Sequence, residues 1–209
     1  MSFTGFPVAA LDFYDDLEAD NSKSYWEAHR TTYEKSVKAP MTELASALEP
    51  EFGAAKIFRP YRDVRFAKDK TPYKTHQGAF VSMGPATGWY VEISAAGVRV
   101  AAGFYASGAD RLAEIREAID SPAGAELEAI LARLTTIWDL GGEKLKTTPR
   151  GYDADHPRVE LLRHKALTVS KSYGFAPVVH TAKLLARVRS DWRAGRPLVE
   201  WFADHARGA

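Results

Sequence analysis

The chain holds 209 residues, carries a formal net charge of +1 and contains no cysteine. With 45% hydrophobic and 26% charged residues it has globular composition, which excludes disorder along its whole length. The missing thiols exclude disulfides, thiolate metal sites, iron–sulfur clusters and a cysteine nucleophile.

The N-terminal 50 residues read as helices. Val8, Leu11, Tyr14 and Leu17 recur at helical spacing behind Pro7, a residue suited to the first helical position. Asn21–Ser24 interrupts the pattern. Trp26, Arg30, Tyr33 and Val37 then share one stripe, on which Arg30 is expected to snorkel or to reach inward to a partner. Pro40 restarts the run with Met41, Leu44 and Leu48, and Pro50 with Gly53 ends it.

From Lys56 the period changes to that of strands. Lys56–Phe66, Thr75–Met83, Trp89–Ser94 and Val98–Tyr105 are predicted extended, the last two joined by Ala95-Ala96-Gly97 as a hairpin. Helices return with Leu112, Ile115 and Ile119, then with Ser121-Pro122 opening a second stripe of Leu127, Ile130, Leu131 and Leu134. Gly141-Gly142 is a break. Residues 143–157 read as a short strand and a loop, Pro157 opens a short helix through Lys165, and Ala166–Ser170 reads as a strand. Two C-terminal helices follow, one bearing Thr181 to Trp192 and the other starting after Pro197. Helices at both ends around central strands predict an α+β fold: a single domain over residues 1–209, its central antiparallel sheet packed with N- and C-terminal helices.

No apolar run approaches the roughly 18 residues of a membrane span. The opening Met-Ser-Phe-Thr-Gly-Phe-Pro lacks the basic and apolar regions of a signal peptide, so the expected address is the cytoplasm, with no membrane partner.

Charge is distributed in blocks. Residues 59–76 carry six basic and two acidic side chains, and residues 158–196 carry nine and two. The first block, RPYRDVRFAKDKTPYKTH, sets Arg59, Arg62, Arg65, Lys68, Lys70 and Lys74 among Tyr61, Phe66 and Tyr73, with Asp63 and Asp69 embedded and His76 at its end. If Tyr61–Phe66 were a strand, Asp63 and Arg65 would share one face and pair, while Arg62 would lie beside Val64 and Phe66. An arginine there demands a carboxylate or phosphate, which its planar fork binds bidentately. The C-terminal block, with Lys183, Arg187, Arg189, Arg193 and Arg196, reads as a solvated helix face.

The run Arg62-Asp63-Val64-Arg65-Phe66, followed by Lys68 through His76, resembles the hallmark of a large microbial family known as domain of unknown function 2461. Asn21 to Trp26 with Arg30 and Tyr33 is similar to it too. So are Gly103-Phe104-Tyr105 with Leu112, Ile115 and Arg116, and Pro149 to Tyr152 through Asp155-His156-Pro157 to Leu161, Leu162 and Lys165. Ser22 stands where family patterns often carry a second Asn. The resemblance implies one family-wide domain and brings no activity, cofactor or catalytic residue with it.

Three readings of the hallmark follow. Its charges are ion pairs that fix a hairpin to the acidic N-terminal helices; or they bind a small anionic ligand through Arg62, Arg65, Lys70 and Lys74; or they bind nucleic acid, against which a pI near 7.9 weighs. The favoured function is anionic-ligand binding at Arg62, Asp63, Arg65, Lys68, Asp69, Lys70, Tyr73, Lys74 and His76. An enzyme would need Asp63, Asp69 or Glu160 as its carboxylates, with Tyr73 and His76 assisting. A protein-interaction domain would need none of this. The six histidines have no ligand spacing, and Asp153, Asp155 and His156 read as loop and cap residues, so neither metal nor cofactor is expected.

Overall fold

A computed structural model describes residues 2–66, 68–105 and 108–206. The fold is α+β, as the sequence predicts, around an antiparallel sheet of six strands. The strands are β1 (Ala55–Ile57), β2 (His76–Gly84), β3 (Thr87–Ser94), β4 (Gly97–Phe104), β5 (Asp139–Gly141) and β6 (Leu167–Gly174), in the order β1-β2-β3-β4-β6-β5. The chain divides into two compact units. One comprises Met1–Val81, Tyr90–Val100 and Ser172–Ser190, the other Ser82–Trp89, Ala101–Lys171 and Asp191–Ala209.

The first unit begins with α1 (Val8–Ala19), entered from Pro7, and α2 (Lys23–Thr32), where Ser22 accepts the N–H of Tyr25 as N-cap at 3.1 Å. Sequence reading placed a restart at Pro40. Instead α2 runs through a π-helical segment, Tyr33–Lys38, into α3 (Ala39–Phe52), which ends at Gly53. Pro40 has no N–H for the preceding turn and its ring crowds the carbonyl there, and a widened turn relieves both without ending the helix. Phe13, Tyr14, Leu17, Trp26, Tyr33, Val37, Met41, Leu44 and Leu48 are buried, whereas Val8 and Arg30 of the predicted stripes are exposed. Val179 in the 3-10 turn Pro177–His180 accepts the N–H of Phe6 at 2.9 Å.

Two-residue turns join β2 to β3 at Pro85-Ala86 and β3 to β4 at Ala95-Ala96. Gly97 follows the second at φ +94°, and a Cβ there would strike the carbonyl of Gly174. Strand β1 pairs with β2, Lys56 opposite Phe80.

In the second unit α4 (Ala109–Asp120) and α5 (Ala123–Leu134) pack their apolar stripes inward. The α4 stripe is Arg111, Ile115 and Ile119, with Leu112 only half-buried; Arg111 donates to Thr87 Oγ1 at 2.7 Å. Strand β5 precedes the Gly141-Gly142 break rather than following it, and the short helix α6 spans only Val159–Leu162.

The two predicted C-terminal helices are one, α7 (Lys183–His205), with Pro197 inside it. Leu184, Val188 and Trp192 are buried before the proline and Val199, Phe202 and Ala206 after it, at spacings of three, four or seven. That continuous stripe outweighs the hydrogen bond that a proline removes. Nor is α7 a merely solvated basic face. Arg189 donates to Ala47 O at 3.0 Å beside Glu51, and Arg196 lies over the Trp89 ring at 5.5 Å.

Candidate functional site

The hallmark belongs to the first unit, and it is mostly loop rather than strand. Among its described residues ahead of β2, the backbone pairs at the Tyr61–Tyr73 bridge, with Arg62 N–H donating to Pro72 O at 2.9 Å and Lys74 N–H to Pro60 O at 2.8 Å. Pro60 and Pro72 offer carbonyls but no N–H, so the ladder cannot extend through either. The alternation expected for Tyr61–Phe66 is therefore absent. Phe66 is 96% exposed, and Arg62 does not share an apolar face with it.

Arg62 turns instead across the loop. Its Nη1 donates to Asp69 Oδ2 and to Thr71 Oγ1, while Asp69 Oδ1 accepts the Thr71 N–H at 2.9 Å. Arg65 forks onto Asp63, with Nε at 2.9 Å from Oδ1 and Nη2 at 2.7 Å from Oδ2. Lys70 Nζ donates to Val64 O at 2.9 Å, and Lys68 is exposed. These ion pairs close the loop on itself; they are not made to the acidic N-terminal helices, as the ion-pair reading expected.

The electrostatics follow. Thr71 and then Arg62, bonding to Asp69, hold its carboxyl down to about 2, and Arg65 lowers that of Asp63. Both are fixed as anions and unsuited to donate a proton. Glu160, on α6 in the second unit, is lowered likewise by Arg163 and Lys144.

Asn21 anchors the loop. Its Nδ2 donates to Tyr73 O and its Oδ1 accepts the Tyr73 N–H, each at 3.1 Å, so one side chain stands in for a neighbouring strand. Ser22 caps α2, so the departure at that position leaves the anchor in place. Tyr73 stacks on Trp26 with centroids 4.3 Å apart and planes 8° from parallel. Buried and stacked, the Tyr73 ring is a wall rather than a free hydroxyl acid.

Lys74 and His76 lie past the bridge. Lys74 Nζ stands 5.2 Å from the centroid of the Phe58 ring, and Lys56 Nζ stands 5.7 Å from the same centroid. Burial, then Arg59 and Lys56, depress the pKa of Lys74. Burial also lowers His76, with Glu92 opposing and Lys74 and Arg99 adding to the fall. Among the described residues, neither Lys56, Arg59 nor Lys74 has a carboxylate within ion-pair distance. Arg62, Asp63, Lys74, Thr75 and His76 line an open cleft of about 480 Å³.

Sequence reading named Lys74, His76 and Arg62 and missed the part of Lys56 and Phe58, which precede the motif. Their signal was faint: an alternation, Lys56 then Phe58, that sets both beside β2. Contacts of His156 and Arg158 tie the Pro149–Lys165 stretch into the fold. His156 Nδ1 accepts the Arg158 N–H at 3.0 Å, which leaves Nε2–H to donate to Asp120 at 2.9 Å. Arg158 meanwhile bonds Glu128 and the carbonyls of Ile119 and Ser121 at the α4–α5 joint.

Among the described residues no helix is long and apolar enough to cross a membrane, and no three His, Asp or Glu side chains are grouped to hold a metal ion. No curated protein matches the chain. The profile of the family described as conserved hypothetical protein (DUF2461) matches residues 9–201, which include Asn21, the basic loop, the α4–α5 joint and most of α7, and the chain belongs to that family.

Proposed function

We propose that this protein binds a small anion, bearing phosphate or carboxylate, in the cleft lined by Arg62, Asp63, Lys74, Thr75 and His76. The observation that carries this reading is Lys74. Its ammonium is half-buried, shares the Phe58 ring with Lys56, lies in the field of Arg59 and has no carboxylate counter-ion among the described residues. A converged, partly desolvated set of like charges is unfavourable alone and is relieved by an anion.

In this reading Lys74 and His76 meet the ligand, with Arg62 at the rim. Arg65, Lys70 and Asp69 shape the loop, Lys68 stays in solvent, and Tyr73 backs the site. Asp63 lines the cleft as an anion already neutralised by Arg65. The carboxylates an enzyme would need are bonded to arginines, which favours binding over acid–base chemistry. Nucleic acid ranks behind a small ligand, because the loop's two arginine pairs leave few cations for a phosphate track. The setting we propose is the cytoplasm, as one domain spanning the chain.

Titration calorimetry with inorganic phosphate and with sulfate tests it. The expected result is saturable binding that Lys74→Ala weakens about tenfold or more, while Lys68→Ala, whose side chain stands in solvent, changes it less than twofold. Absence of saturation, or equal affinity in Lys74→Ala, would sink the reading.

A further inference from the structure

A second cleft, of about 350 Å³, opens beside the first helices, and none of the hallmark's ion pairs takes part in it. Four of its lining residues are aromatic: Trp26, Tyr33, Phe58 and Tyr61. Trp26 is 4% exposed, and its Nε1 is buried and, among the described residues, has no hydrogen-bond partner. Tyr33 lies 4.8 Å and Tyr61 6.0 Å from the Trp26 ring, centroid to centroid.

The other wall is the π-helical segment, which supplies Tyr33, Glu34 and Lys38. Such widened turns recur at functional sites. Glu34 and Lys38 neutralise each other at 2.9 Å. Arg30 and Arg59 are exposed at the cleft, and among the described residues neither has a carboxylate within ion-pair distance. Aromatic walls favour a flat ring, and two unpaired guanidinium groups favour a carboxylate or phosphate. The volume lies at the small end of ligand sites.

We infer that this cleft is a separate binding site for a small planar aromatic anion, its ring against Tyr61 and Phe58 and its charge on Arg30 and Arg59. The inference does not rest on the Lys74 cleft.

The test uses the full chain with 2-naphthoate, with 2-naphthol as its uncharged counterpart, followed by ligand fluorescence. Naphthoate is expected to saturate and to bind about tenfold more weakly to Arg30→Ala. Tyr61→Ala is expected to weaken it as well. His76→Gln, which alters the other cleft, should leave it within twofold. Arg30 and Tyr61 are exposed, and circular dichroism checks that both variants fold. The inference is overturned if naphthoate does not saturate, if Arg30→Ala binds it like the parent, or if naphthol binds equally well.

Discussion

Asn21 holds Tyr73 by both backbone groups, N–H and C=O, across 52 residues of sequence. Two part-buried hydrogen bonds of this kind contribute about 1–3 kcal/mol together. Asn21→Ala should therefore lower unfolding free energy by about that amount in urea melts. Asn21→Asp keeps the acceptor but sets a carboxylate oxygen against the Tyr73 carbonyl, so it should not restore the parent's stability. Equal stability of Asn21→Ala and the parent would remove the anchor from the account.

The pair of Arg62 with Asp69 should behave differently. Its side chains are 33% and 55% exposed, and pairs so open to solvent contribute little to stability. Arg62→Ala should leave global stability nearly unchanged while hydrogen exchange at the Thr71 amide speeds up. A large global loss would mean that the loop is part of the core.

Stability should fall as pH drops below His76's ordinary value near 6.5. Burial lowers the folded pKa, so between the two values the unfolded chain binds more protons, and protonation favours unfolding. His164, lowered mainly by burial, acts in the same direction. Urea melts at pH 8 and pH 5 should show the loss, and His76→Gln should reduce it. Asp69 has a lower window: its contribution is present above its ordinary 3.8 and disappears as pH falls through about 2. A parent whose stability rose from pH 8 to pH 5 would contradict the sign for the histidines.

Gly97→Ala should destabilise the β3–β4 hairpin strongly, by about 2 kcal/mol or more, because it adds a left-handed penalty to a backbone collision with Gly174. Thermal melts measure it. A shift of less than a degree would show that the turn rearranges freely.

Local pattern made much of this fold legible. The apolar spacing of α1 and α5, and the hairpin link at Ala95-Ala96-Gly97, depend on neighbours in sequence and were readable there. The loop was not. Whether Arg62 alternates in a strand or reaches Asp69 depends on whether the backbone finds a ladder, and Pro60 and Pro72 deny it one. Likewise Pro197 reads as the boundary after which a second helix starts, and burial of Val199 and Phe202 beyond it explains a single helix that continues. The site residues were legible as types, while the sorting of Arg65 into a pair and Lys74 into a cleft required tertiary contacts.

The Asn21–Tyr73 anchor and the Trp26–Tyr73 stack also bear on the order of folding. Hairpins such as β3–β4 close within microseconds, whereas contacts about fifty residues apart must first overcome a larger loop-closure entropy. The basic loop therefore takes its shape only after the N-terminal helices have met β2. A chain caught partway would have its hairpin but no cleft, so ligand protection during refolding should appear late.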